Sequence, residues 1–478
     1  MSAAAEPHRV SPDLERIRSA FALQRDAFGR APYPEAETRE GWLVALGRLL
    51  HENIDAIAAT IARDFGHRSR HETELLEIFP CLEAVEHARR NLRSWMKPQR
   101  RRVSLWFQPG RAEVLAQPLG VVGIVVPWNY PIYLAVGPLV GALAGGNRAM
   151  VKMSELAPAT GALLGALVAK HFRADEVCVI NGDVAVARAF GELPFDHLLF
   201  TGSTAVGRAV MRAAADNLTP VTLELGGKSP AILGPDYPVG AAAERILVGK
   251  CLNAGQTCIA PDYALVPEGR VREFVDAAAR IVNDCYPDPM RSPDYTAIVN
   301  DRHFARLAGY LDEARARGAE VRSLPPHAVP DAATRRIPPT LITDAPDDCR
   351  LMREEIFGPI LPVVAYRDLE DAIAYVNARP RPLALYYFDR NERRIARVLT
   401  GTIAGGVTIN DTILHIAQER LPFGGVGPSG MGEYHGRDGF NAFSKRKAVF
   451  RQARLNAIGL FNPPYGKRFE RLMRLLLR

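Results

Sequence analysis

The run Asn253-Ala254-Gly255-Gln256-Thr257-Cys258 places a cysteine after small, flexible residues that leave a thiol reachable, and a thiolate is a strong nucleophile. Taken singly, such a cysteine is more often an inert core residue. Glu224 stands in the apolar stretch Val221-Thr222-Leu223-Glu224-Leu225-Gly226-Gly227-Lys228. A carboxylate there is costly to bury without a task, and desolvation raises its pKa toward the range of a general base at neutral pH. A structural pairing with Lys228 or a nearby arginine is the alternative. Asn129, in Pro127-Trp128-Asn129-Tyr130-Pro131, follows an apolar run and carries an amide that can donate to an oxyanion without titrating. It could equally be the hydrogen-bonding residue of a proline-fixed turn.

Two further segments suit a phosphorylated ligand. Phe200-Thr201-Gly202-Ser203-Thr204-Ala205-Val206-Gly207-Arg208 reads as a strand running into a helix, and backbone N–H groups at a helix start can hold a pyrophosphate. Its spacing is neither GxGxxG nor a P-loop, so alone it says little. Lys152 and Glu155 follow another strand-like segment, where they could bond a ribose, or could be ordinary charge beside a helix capped by Ser154.

The elements that must position these groups are legible as an α/β pattern. Helical spacing from Pro12 to Trp95 predicts several amphipathic helices. Arg100 to Gln117 alternates around Pro109-Gly110, predicting a two-stranded projection. Strands are expected at Val121 to Val126, Ala149 to Lys152, Val177 to Ile180 and His197 to Phe200. Helices are expected at Pro138 to Leu143, Pro158 to His171, Asp183 to Phe190 and Thr204 to Ala215. Alternation of this length implies a doubly wound parallel sheet. A second α/β region runs from about Pro230 to Pro422, and Phe440 to Phe450 alternates as a strand would.

Composition narrows the classes of function. At 478 residues more than one domain is expected. Lys plus Arg exceed Asp plus Glu by 60 to 53, a small excess spread along the chain rather than gathered in a nucleic-acid-binding stripe. The six cysteines show no CxxC pairing, which suits reduced thiols in a cytoplasmic enzyme, and no His/Cys cluster has metal-ligand spacing. Met1 to Val10 lacks the apolar core of a signal peptide, and no run approaches the roughly 18 apolar residues of a membrane span. The tail Arg468 to Arg478 is short, basic and amphipathic, suited to packing on a partner subunit or its own domain, or to touching a membrane surface.

In this order and spacing the pieces resemble the aldehyde dehydrogenase superfamily, from about Phe21 to Lys447. Two further motifs join them, Glu354-Glu355-Ile356-Phe357-Gly358-Pro359 and Leu421-Pro422-Phe423-Gly424-Gly425-Val426-Gly427-Pro428-Ser429-Gly430. The resemblance implies that Cys258 attacks an aldehyde carbon, that Asn129 and the Cys258 N–H hold the oxyanion, and that Glu224 activates the water that hydrolyses a thioester. It implies NAD, with NADP possible, as cofactor. Lys152 and Glu155 would meet the adenosine ribose, and Gly202, Ser203, Thr204, Val206 and Gly207 the pyrophosphate. Glu355 would meet the nicotinamide-side ribose and Phe357 the nicotinamide, with Trp128 and Leu225 in the same cofactor-binding set. Glu155 would repel a 2′-phosphate, favouring NAD. The fold implied is a Rossmann-like cofactor domain (1–99 and 118–226), an α/β catalytic domain (227–425), and a small β oligomerisation projection with the C-terminal tail (100–117 and 426–478).

Within the superfamily, Cys258 to Tyr263 and Gly432 to Gly436 resemble the class 3 branch. Val136 to Met150 and Pro464-Tyr465 resemble its bacterial coniferyl aldehyde dehydrogenases. The resemblance implies a small-molecule aromatic aldehyde as substrate, a homodimer, and no nucleic-acid partner. It also assigns His435 to a turn rather than to catalysis. A fatty or aliphatic aldehyde, or a binding role on a retired scaffold, are the competing readings. Retention of Cys258, Glu224 and Asn129 weighs against the second.

Overall fold

Three β-sheets carry the residues singled out above. The structure, a computed structural model, describes residues 12–477, so the reading of Met1 to Val10 lies outside the described residues. The β-branched apolar runs became parallel strands. A six-stranded sheet has the order Gly430–Met431, Val221–Glu224, His197–Thr201, Val121–Val125, Arg148–Lys152, Val177–Ile180. All neighbours are parallel except the first pair. His197–Thr201 and Arg148–Lys152 are buried along their whole length, as a sheet covered on both faces requires. Register sets the functional edge: Val125 pairs with both Lys152 and Phe200, and Thr201 pairs with Glu224. Lys152, Thr201, Glu224 and the turn bearing Asn129 therefore emerge together at the carboxyl ends of the strands, where open α/β sheets bind ligands.

A seven-stranded sheet has the order Glu320–Ser323, Thr340–Thr343, Ile360–Tyr366, Tyr263–Pro267, Pro230–Leu233, Ala384–Phe388, Gly406–Ile409. It is parallel apart from the Glu320–Ser323 edge. The third sheet is small and antiparallel throughout, with Gln99–Arg101 and Ser444–Arg451 flanking Arg111–Pro118. The expected pairing about Pro109-Gly110 is present, with Arg100 opposite Glu113.

Helices Pro158–His171 and Thr204–Ala215 fall where their periodicity places them. Two expectations need correction. The helix expected at Pro138 to Leu143 spans Tyr133–Gly145, with Pro138 inside it. It begins early because Glu77 accepts the backbone N–H groups of Ile132 (2.7 Å) and Tyr133 (3.1 Å), a cap supplied from 55 residues away. The strand expected at Phe440 to Phe450 is Ser444–Arg451, preceded by the helix Gly436–Ala442. That short helix docks on Tyr133–Gly145 at Gly439, where a Cβ on the facing Gly141 would lie 3.1 Å from the Gly439 carbonyl carbon. Close glycine packing decides the structure there against the local alternation.

The tail forms the helix Lys467–Leu476, none of whose residues is fully buried. No described helix is long and apolar enough to cross a membrane.

Candidate active site

Cys258 follows the helix Val239–Cys251 through a loop of unusual backbone. Asn253 and Ala254 have φ of 53° and 51°, and Gly255 has φ of 73°. A Cβ on Gly255 would strike the Gly358 carbonyl, so glycine is required. The strain at Asn253 and Ala254 is held by hydrogen bonds from distant parts of the chain. Glu72 accepts the Asn253 N–H at 3.0 Å. Gln256 donates to the carbonyls of Asn253 and Ala297, each at 3.0 Å, and accepts the Val299 N–H at 3.0 Å. The loop is a rigid mount for the thiol rather than a flexible segment.

The same loop grips the turn that bears Asn129. The Asn253 side chain donates to the Asn129 carbonyl at 3.0 Å, and Arg68 donates to that carbonyl at 3.1 Å. Asn129 Nδ2 donates one hydrogen to the Gln256 carbonyl at 3.1 Å, which leaves its second hydrogen for a ligand. The Cys258 N–H takes no backbone partner among the described residues. Both proposed oxyanion donors are therefore free.

Glu224 closes its strand, tied by Gly202 N–H donation to its carbonyl at 3.0 Å. Lys228 does not pair with it: that ammonium bonds Asp262 and the carbonyls of Leu351 (2.8 Å) and Glu354 (3.0 Å). Neither Glu224 carboxylate oxygen has a regular hydrogen-bond partner among the described residues. Burial pushes the Glu224 carboxyl up to about 8, opposed by the nearby Cys258 thiol and reinforced by Glu355. Burial, then the carboxylates of Glu224 and Glu355, hold Cys258 well above the usual thiol range, while its own N–H pulls it down. At rest Cys258 is a thiol, and the carboxyl beside it titrates near neutrality.

A cavity of about 240 Å³ joins Cys258, Glu224 and Asn129 to Trp128, Gly202, Ser203, Glu355 and Phe357. Glu355 lies over Gly226, where any Cβ would collide with its carboxylate, and its Oε1 is buried without a partner. Burial and then Asp262 push the Glu355 carboxyl up to about 8. Trp128 meets Phe357 edge-on at 5.5 Å. Ser203 caps the helix Thr204–Ala215 by accepting the Val206 N–H at 3.4 Å, and the Thr204 hydroxyl donates to the Pro428 carbonyl at 3.1 Å. Gly207 packs so near Leu225 that a Cβ would stand 2.6 Å from its Cδ2. Lys152 is buried and donates to the carbonyls of Met153 (2.6 Å) and Gly182 (2.9 Å), leaving its third N–H. Glu155 is exposed nearby.

Sequence reasoning missed His303 and Arg306, which line the same cavity from the helix Asp301–Ala316. It also missed the buried Arg68–Glu77 pair at 2.7 Å and Glu72. Each acts across more than fifty residues of chain or on backbone atoms, so no local motif marks it. His435, at φ 99°, sits buried against Tyr133 in a turn, as expected.

The aldehyde dehydrogenase family model matches residues 10–449. A probable coniferyl aldehyde dehydrogenase of Pseudomonas aeruginosa is 55% identical over 96% of each chain. A coniferyl aldehyde dehydrogenase of a Pseudomonas species is 46% identical over 97% of this chain and 96% of its own. Among solved structures, substrate-bound AldH of Staphylococcus aureus superposes with a TM-score of 0.91 at 37% identity, over 96% of this chain and 99% of that one. An NAD+-bound aldehyde dehydrogenase of Mycobacterium tuberculosis gives 0.81 at 27% identity, over 91% of this chain and 90% of that one. With a family match over nearly the whole chain and a cysteine, a buried carboxyl and a free amide meeting in one cavity, the protein belongs to the aldehyde dehydrogenase family.

Proposed function

We propose that this enzyme oxidises a coniferaldehyde-like aromatic aldehyde to its carboxylic acid, with Cys258 as nucleophile, Glu224 as base and Asn129 as oxyanion donor. The observation that carries the chemistry is the meeting of an unpaired buried carboxyl, a thiol and two free N–H donors on one cavity. The two relatives named for coniferyl aldehyde support the aromatic substrate.

Cys258 Sγ bonds the aldehyde carbon as its thiol proton passes to water, which leaves Glu224 free for the later hydrolysis. Asn129 Nδ2 and the Cys258 N–H donate to the oxygen as it gains charge, and being pre-positioned they need no reorganisation. After oxidation at that carbon the acyl group remains on Sγ as a thioester. Glu224 then draws a proton from the attacking water, and the acid leaves.

The orphaned Glu355 Oε1, the spare Lys152 N–H and the helix start at Ser203 fit a dinucleotide. When bound, NAD(P) supplies the hydride acceptor. Lys152 and Glu155 would hold its adenosine ribose, Gly202 to Gly207 its pyrophosphate, and Glu355, Phe357, Trp128 and Leu225 its nicotinamide end. The exposed carboxylate of Glu155 favours NAD over NADP.

The chain divides functionally into cofactor (1–99 and 118–226), catalytic (227–425) and projecting (100–117 and 426–478) parts. The projecting sheet, with exposed Trp106 and Phe450, is read as the contact of a cytoplasmic homodimer. A monomer by light scattering would reject that. Initial rates of NADH and NADPH formation with coniferaldehyde, benzaldehyde and decanal test the substrate and cofactor. Coniferaldehyde with NAD should be fastest; faster decanal oxidation would move the substrate to aliphatic aldehydes.

A further inference from the structure

Lys152 and Ile180 pair at the carboxyl ends of adjacent parallel strands, and the Met153 N–H extends that pairing to the Ile180 carbonyl at 3.0 Å. Each strand runs on into a short turn that ends in a carboxylate. Glu155 lies three residues past Lys152, and Asp183 lies three residues past Ile180. Lys152 ties the two turns together by donating to the carbonyls of Met153 and Gly182. The turns therefore leave the sheet side by side, and each presents an exposed acid near one buried ammonium. Burial lowers the Lys152 pKa, and the charges of Glu155 and Asp183 both oppose that, so each carboxylate acts on the ammonium.

Asp183 also caps the helix Val184–Gly191, accepting the N–H groups of Ala185 (3.0 Å) and Val186 (3.1 Å) on one oxygen. An uncapped helix start carries free N–H groups and partial positive charge, which draw phosphate. Here the cap satisfies two of those donors and sets a full negative charge against the partial positive one. The helix Thr204–Ala215 follows the strand His197–Thr201 of the same sheet and is capped differently. Its cap is the neutral hydroxyl of Ser203, on a single N–H. One helix start is open to phosphate and the other is closed to it.

NADP differs from NAD by a 2′-phosphate on the adenosine ribose, a group of nearly two negative charges. Resting on the reading that Lys152 and Glu155 meet that ribose, we infer that Asp183 is a second specificity-determining residue, which excludes the 2′-phosphate and commits the enzyme to NAD. A ribose hydroxyl is neutral and can donate to a carboxylate, so acids that repel NADP still accept NAD. The charges are exposed and act through water, so the discrimination at each is moderate.

The test measures dissociation constants of NAD and NADP by calorimetry, which needs no aldehyde, for the wild type, Asp183→Asn, Glu155→Gln and the double variant. Asparagine caps a helix as well as aspartate does, so Asp183→Asn removes the charge and keeps the fold. The wild type should bind NAD more tightly. Each single variant should cut that preference by about fivefold to twentyfold, through tighter NADP binding, and the double variant by more than either. An unchanged preference in Asp183→Asn beside a reduced one in Glu155→Gln overturns the role of Asp183 and leaves the ribose assignment standing. An unchanged preference in both, or a wild type that binds NADP more tightly, overturns the ribose reading and the inference with it.

Discussion

Two buried acidic groups flank Asn129, and they do opposite work. Glu77 is fully enclosed, yet each of its oxygens is satisfied: one meets Arg68 at 2.7 Å, the other accepts two N–H groups at the start of Tyr133–Gly145. Glu224 is just as buried and has no regular partner among the described residues. Burial pushes both carboxyls up, but for Glu77 the Arg68 charge and two N–H donors pull back. The first fixes the turn that aims the amide; the second is left able to exchange a proton. Burial of charge therefore does not mark a reactive group. Burial without compensation does.

The contrast breaks most readily at its reactive end. Glu224→Gln should lower steady-state turnover by about 10²–10⁴-fold, the usual worth of a general base. Its thermal midpoint should stay near the wild type's, because the Glu224 carboxyl anchors no other part of the fold. Arg68→Met should do the reverse to stability. It strands Glu77 without its cation, which costs roughly 3–5 kcal/mol, read as a lower unfolding midpoint. A stable Arg68→Met protein together with an unfolded Glu224→Gln would invert the assignment.

The pH dependence sharpens the same point. With its pKa raised from 4.5 to about 8, Glu224 is mostly protonated at pH 6.5 and free to accept a proton only above about 8. Acyl-enzyme hydrolysis should thus climb by about tenfold per pH unit below 8 and then level off. A flat profile between pH 6 and 8 would contradict a base of this kind. The smallest effect is expected at Gly226→Ala, whose Cβ displaces the Glu355 carboxylate. The KM for NAD should rise by about threefold to tenfold, or 0.7–1.4 kcal/mol, with kcat much less affected.

How much of this was legible depends on range. Pro158–His171 and His197–Thr201 could be read from their patterns because the first buries one face and the second its whole run. Cys258, Glu224 and Asn129 were legible because each lies in a short motif of unusual composition. The supports were not. Glu72 reaches 181 residues to the Asn253 N–H, and Arg68 reaches 61 residues to the Asn129 carbonyl, and both bond backbone atoms that every residue has. The Gly436–Ala442 helix was hidden for a related reason, since its cause is the close approach of Gly141 and Gly439. Local sequence encodes what a segment prefers, and these contacts decide against the preference.

The most direct test of the central claim is acid quenching of Glu224→Gln within the first turnover with NAD and coniferaldehyde, followed by mass analysis of the peptide bearing Cys258. The assignment predicts about one NADH per active site and a matching acyl mass on Cys258. Continued wild-type turnover with no adduct on Cys258 would contradict both roles.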